Sequence, residues 1–167
     1  MKRRIGFAAL FLFLVINAGC PYTTKTPLGV PERDAFDERL VGEWIAYGTE
    51  GDSAFVNVYP FNDAEYYVET VEGKDEPDRY RVFAFTVGGK RLLHLNELNH
   101  DVAAHEYVFA RYEFSKDGKL TIRFIGEDCV SKELADDAKA LRAFIAAHLD
   151  DPALDDEDVK LIMRRNQ

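Results

Sequence analysis

The chain has 167 residues, 21 of them Lys or Arg against 30 Asp or Glu, with two cysteines and 13% aromatic residues. That length holds one domain with a real core and leaves little room for two. The formal charge of −9 sets the surface against nucleic-acid phosphates, so nucleic-acid binding is excluded as a function class.

Lys2, Arg3 and Arg4 form a basic head, Ile5 to Ile16 carries no charge, and Asn17, Ala18, Gly19 and Cys20 follow. A basic head, a short apolar run and small residues have the order of a secretory signal. The run is shorter than the roughly 20 apolar residues that span a bilayer. With cysteine at its end, the stretch resembles a bacterial lipobox, although Asn17 stands where that pattern prefers an aliphatic residue. The resemblance implies cleavage after residue 19 and lipidation of Cys20, with palmitate-like acyl chains as the membrane anchor. The mature chain then carries 18 basic and 30 acidic residues, a charge of −12. It offers no basic patch to anionic headgroups, so attachment is expected through acyl chains alone. Cys129 is left without an internal disulfide partner and reads as a small apolar plug, its acidic neighbours Glu127, Asp128 and Glu133 disfavouring a thiolate.

Residues 20–37 hold Pro21, Pro27, Gly29, Pro31 and several threonines, a composition expected of an extended, solvated tether. The folded domain is expected over 38–167. Seven strands are predicted in order: 40–47, 53–61, 64–72, 79–87, 91–97, 105–115 and 120–126. Each is rich in β-branched and aromatic residues, and Gly51, Asn62-Asp63, Gly88-Gly89 and Asp117-Gly118 punctuate them. Gly88-Gly89 suits a two-residue hairpin, which needs positive φ. Leu134, Ala138, Leu141, Ile145 and His148 then recur at helical spacing, predicting a helix over 131–149, capped by Ser131 or Asp136 and stopped by Pro152. A last apolar segment, 159–163, follows the acidic loop 155–158.

An open meander of eight strands leaves two edges, and pairing the last strand with the first removes both. The expected fold is mainly β: an antiparallel up-and-down barrel of about eight strands with one C-terminal helix before the closing strand. Here the chain resembles the lipocalin-like (calycin) barrels. Gly42-Glu43-Trp44 opens the first strand as their G-x-W signature does, and the helix position is similar. Over 38–165 it looks like small bacterial lipoproteins with this barrel. The resemblance implies that Trp44 seals the closed end beneath an arginine from a late strand, which Arg123, Arg164 or Arg165 could supply. It implies no activity.

Chemistry is sparse in the sequence. His94, His100 and His105 lie among Glu97, Asp101 and Glu106, and a metal-dependent enzyme built on the 94–105 region is one reading. The spacing fits no tight motif, so a solvated loop with a structural histidine is preferred. No nucleophile elbow, phosphate cradle or calcium loop is present, and no cofactor is expected. The aromatic wealth points instead to core packing or to a cavity for an apolar ligand. The candidate ligand contacts are Trp44, Tyr66, Phe83, Phe85, Tyr112 and Phe114. Arg81 and Arg111 join them if they point inward to meet a carboxylate; pointing outward they are cross-strand ion-pair partners. The leading expectation is non-catalytic binding of a small apolar or amphipathic ligand by a membrane-anchored lipoprotein of the cell envelope, facing the periplasm or exterior. The alternative is a solid barrel that meets another envelope protein, as an inhibitor or assembly factor does.

Overall fold

The computed structural model describes residues 22–47, 53–73, 76–98, 107–126, 129–131, 134 and 137–166. The expected signal segment, Cys20, His100 and His105 lie outside the described residues. Among the described residues there are nine strands: β1 (Thr23–Thr24), β2 (Gly42–Tyr47), β3 (Ser53–Pro60), β4 (Glu65–Val71), β5 (Asp78–Val87), β6 (Lys90–Glu97), β7 (Tyr107–Phe114), β8 (Leu120–Ile125) and β9 (Asp155–Arg165). Strands β2 to β9 pair antiparallel in sequence order, and β9 returns to β2, so eight strands close a barrel. The short β1 pairs with β7 at Val108 and Tyr107, beyond Ala110, where β8 stops pairing. Gly88 and Gly89 take φ of +54° and +79° in the β5–β6 hairpin, as the sequence predicts.

The helix α1 (Ala138–His148) is shorter than the predicted 131–149. Its cap is Asp137, whose side chain accepts from the N–H groups of Lys139 and Ala140, so the helix starts there and not at Ser131. Leu141 and Ile145 face the barrel and are fully buried.

Cross-strand register sorts the side chains. Trp44, Val56, Tyr66, Val82, Leu93, Ala110, Ile122 and Met163 fall on the inner face and form one buried core. A second core lies outside the wall, where Phe83, Phe85, Leu92 and Phe109 of β5 to β7 meet Leu141 and Ile145 of α1 and Tyr22 and Leu28 of the N-terminal segment. Residues 22–37 are therefore not the expected solvated tether. Tyr22 and Leu28 are each 4% exposed. Arg142 donates to the Leu28 carbonyl at 2.6 Å, and Glu32 accepts from the Thr86 N–H at 3.2 Å. The prolines that exclude regular structure here do not exclude docking, because apolar side chains between them still gain from burial.

Residues 33–41 turn under the barrel in two 3-10 turns and plug the end at which β2 begins. Trp44 donates its indole N–H to the Leu40 carbonyl at 2.9 Å. The Arg165 guanidinium lies 4.2 Å over the Trp44 ring and donates to the carbonyls of Val41 and Arg39. Of the three arginines the resemblance allowed, Arg165 makes the contact, because its β9 position pairs directly with Trp44. Gly42 has φ +134°, and a Cβ there would stand 1.9 Å from the Arg165 guanidinium. Gly42→Ala is expected to displace Arg165 and strain the backbone, costing ~2 kcal/mol of stability. Urea unfolding followed through the single tryptophan checks this; an unchanged midpoint would show that the close approach is unimportant.

Candidate functional site

The inner face has two unlike ends. At the plugged end, the aromatic candidates spend their polar atoms on the plug itself. Tyr66 stacks on Phe36 at 4.4 Å and its hydroxyl accepts from the Asp37 N–H at 2.6 Å. The Tyr112 hydroxyl donates to the Asp37 carboxylate at 3.1 Å. Phe114 lies between Trp44, Tyr112 and the Arg39 guanidinium. Asp37 is 5% exposed, and its hydrogen bonds from Arg39 hold its carboxyl below the usual carboxylate range. Burial pushes the Tyr112 hydroxyl up to about 12, with the Asp37 charge adding to it. Trp44, Tyr66, Tyr112 and Phe114 thus point inward as expected, into a filled floor.

Four of the candidates point the other way. Phe83 and Phe85 lie on the outer face, in the core beneath α1 and the N-terminal segment. Arg81 is outward and bonds both oxygens of Glu65 at 2.8 and 2.7 Å. Arg111 is outward too, donating to both Asp155 oxygens and to the Leu149 carbonyl, so it ties the end of α1 to the start of β9. These are the ordinary ion-pair roles, and neither arginine reaches the interior.

At the far end, toward the β2–β3, β4–β5 and β6–β7 connections, Ala46 and Ala54 are buried, but a set of larger inward residues is only half-buried. Val68, Tyr80, Leu95, Val108, Phe124 and Leu161 form this ring. Thr70 bonds the Tyr80 hydroxyl, whose pKa is raised first by burial and then by the charges of Asp78 and Glu97 at the rim. An apolar ring, one oriented hydroxyl and a carboxylate rim over a solid floor suit a ligand that is apolar along its length and polar at one end. Sequence reasoning named none of the six as a site residue. Their alternation was legible, but which end of each strand is filled depends on where residues 33–41 turn.

Among the described residues no group of three His, Cys, Asp or Glu side chains gathers at His94 or elsewhere. His94 is 1% exposed on the outer face, stacked on Phe83 at 4.3 Å with Tyr107 at 4.6 Å and Phe109 at 5.2 Å. Neither ring nitrogen has a hydrogen-bond partner among the described residues. Burial lowers its pKa from 6.5 to about 4, so the folded protein holds it neutral. Cys129, the other soft ligand type, is half-buried against the same outer core, its thiol donating to the Ala153 carbonyl.

Compared with known proteins, the chain matches no protein-family model, no curated protein and no solved structure. Its class rests on its own architecture: a closed eight-stranded antiparallel barrel with a helix before the final strand, compatible with a calycin-like fold.

The unfolded chain protonates His94 near pH 6.5 while the folded chain resists until about pH 4. Stability from neutral His94 is complete above pH 6.5 and is lost progressively as pH falls toward 4, by ~3 kcal/mol in all. His94→Phe is expected to flatten this loss between pH 6.5 and 4.5. Below that window, Asp37 and Glu65, whose pKa values are lowered by Arg39 and Arg81, add their own acid sensitivity in both proteins. Denaturant midpoints measured across this range decide it, and parallel curves for the two proteins would show that His94 is not the titrating group.

Proposed function

We propose that this protein is a bacterial lipoprotein of the cell envelope, anchored through Cys20, whose calycin-like barrel binds a small apolar or amphipathic ligand without catalysing a reaction. The half-buried apolar ring at the far end carries the proposal. Its side chains face inward at the end of the barrel opposite the plug, and beside them stand Thr70, the Tyr80 hydroxyl and the rim carboxylates Asp78 and Glu97. Such a ring loses exposed apolar area when a ligand enters, which favours binding. The address rests on the basic head, apolar run and cysteine of the first twenty residues.

The test is a titration with N-phenyl-1-naphthylamine, an apolar dye that brightens in apolar surroundings. Saturable binding is expected. Leu95→Glu, which sets a carboxylate in the ring, is expected to weaken it by at least about tenfold. Tyr112→Phe, at the filled end, is expected to leave it unchanged. Equal affinity in the native and Leu95→Glu proteins would sink the assignment of this ring.

A second reading has its own support. On the outer wall of β9, β2 and β3, Ile162 (39% exposed), Tyr47 (43%) and Phe55 (51%) stand uncovered, side by side with Ile45. Such a patch is what a barrel that meets another envelope protein presents. Failure of the folded protein to take up the dye saturably would leave this reading in place of the first.

A further inference from the structure

Tyr22 is part of the barrel wall. Its backbone N–H donates to the Ile125 carbonyl at 2.8 Å, and its side chain is buried in the outer core. Thr23 and Thr24 continue the wall against Val108 and Tyr107, and Thr24 is 5% exposed. From there the segment runs along the outside of β5 to β7, held by Arg142 at Leu28 and by Glu32 at Thr86. The residue read as the lipid anchor, Cys20, is only two positions before Tyr22. Two residues span at most ~7 Å when fully extended. The same stretch up to residue 37, as a free coil, would have a mean reach of ~23 Å.

A residue carrying acyl chains keeps its backbone at the bilayer surface while the chains enter the hydrocarbon. Tyr22 must then lie within ~7 Å of that surface. It sits at the far end of the barrel, where β8 ends at Ile125 and β7 begins at Tyr107. The plugged end, with the Ser115–Lys119 turn, is a strand length away. Strand β7 has eight residues, or ~26 Å along its axis. The rim at the far end carries Asp78 and Glu97 beside the exposed Leu98. Carboxylates do not enter hydrocarbon without a large cost, so this rim stops in the headgroup layer.

We infer that the barrel docks far end first on the lipid bilayer that holds its anchor, with the packed N-terminal segment acting as a short, fixed spacer between the acyl chains and the wall. The docking rests on the reading of Cys20 as lipidated, and it places the half-buried ring against the membrane and the plug away from it.

The experiment uses the full-length lipoprotein purified from its own membrane, with Cys129→Ser removing the second thiol. A nitrobenzoxadiazole label is placed on Leu98→Cys at the far end or on Lys116→Cys at the plugged end. Both positions are exposed, and thermal melts confirm that each labelled protein is folded. The proteins are reconstituted in phosphatidylcholine vesicles containing a lipid with a nitroxide on its headgroup. Quenching is expected to be several-fold stronger at 98 than at 116. A Gly/Ser linker inserted between Pro21 and Tyr22 is expected to bring 98 down to the level of 116. Equal quenching at the two sites, in protein that floats with the vesicles and carries the acyl mass on Cys20, overturns the docking alone. Protein with no acyl mass that does not float overturns the lipidation reading, and the docking with it.

Discussion

The barrel depends on one junction, the pairing of β9 with β2 around Trp44 and Arg165. A meander of strands is stable only in part until its edges meet, because each open edge leaves a row of backbone groups to water or to another chain. Here the last strand supplies both the missing ladder and a guanidinium that covers the indole and accounts for two carbonyls of the entering chain. Those carbonyls belong to Arg39 and Val41, in the segment that turns under the barrel. The same arginine therefore closes the wall and fixes the plug. Gly42 is needed at this point because no side chain fits between the wall and that guanidinium.

Fixing the plug decides where function can reside. Once residues 33–41 occupy one end, Tyr66 and Tyr112 are committed to Asp37, and Trp44 to Leu40. A ligand that displaced the plug would carry Asp37 away with it and strip the buried Tyr66 and Tyr112 hydroxyls of their partner, which is costly. The far end carries no comparable polar investment. Its ring side chains are mostly apolar and half-buried, with the Tyr80 hydroxyl and Thr70 among them. The inner face is thus buried and polar-paired at the plugged end, and carries a half-buried apolar ring at the other.

The outer core adds a second layer with a different chemistry. Around Val82–Phe85, Leu92 and Phe109, strands β5 to β7 bury apolar side chains on both faces, and α1 with the N-terminal segment covers the outer one. His94 lies in this layer with neither ring nitrogen hydrogen-bonded among the described residues, an arrangement that costs stability. Its neighbours Phe83, Phe85, Tyr107 and Phe109 offer ring faces but no fixed charge. Mild acid therefore works against the layer that joins the N-terminal segment to the wall, through His94.

Much of the architecture can be read in the residues themselves. Period-two alternation, the Gly88-Gly89 hairpin and the apolar run after the helix carry the strand order and the closure, because each is a local property of the backbone and its solvent face. The uninterrupted run from Val82 to Phe85 also signals a strand buried on both sides, which is why the inward assignment of Phe83 and Phe85 fails: alternation within such a run does not say which face is the interior. What only the tertiary structure decided is which end is filled, that Arg81 and Arg111 turn outward to Glu65 and Asp155, and that Tyr22 and Leu28 belong to the wall. Each of these depends on contacts between segments far apart in the chain, and the free energy of burying a side chain is set by what covers it and not by its neighbours in sequence.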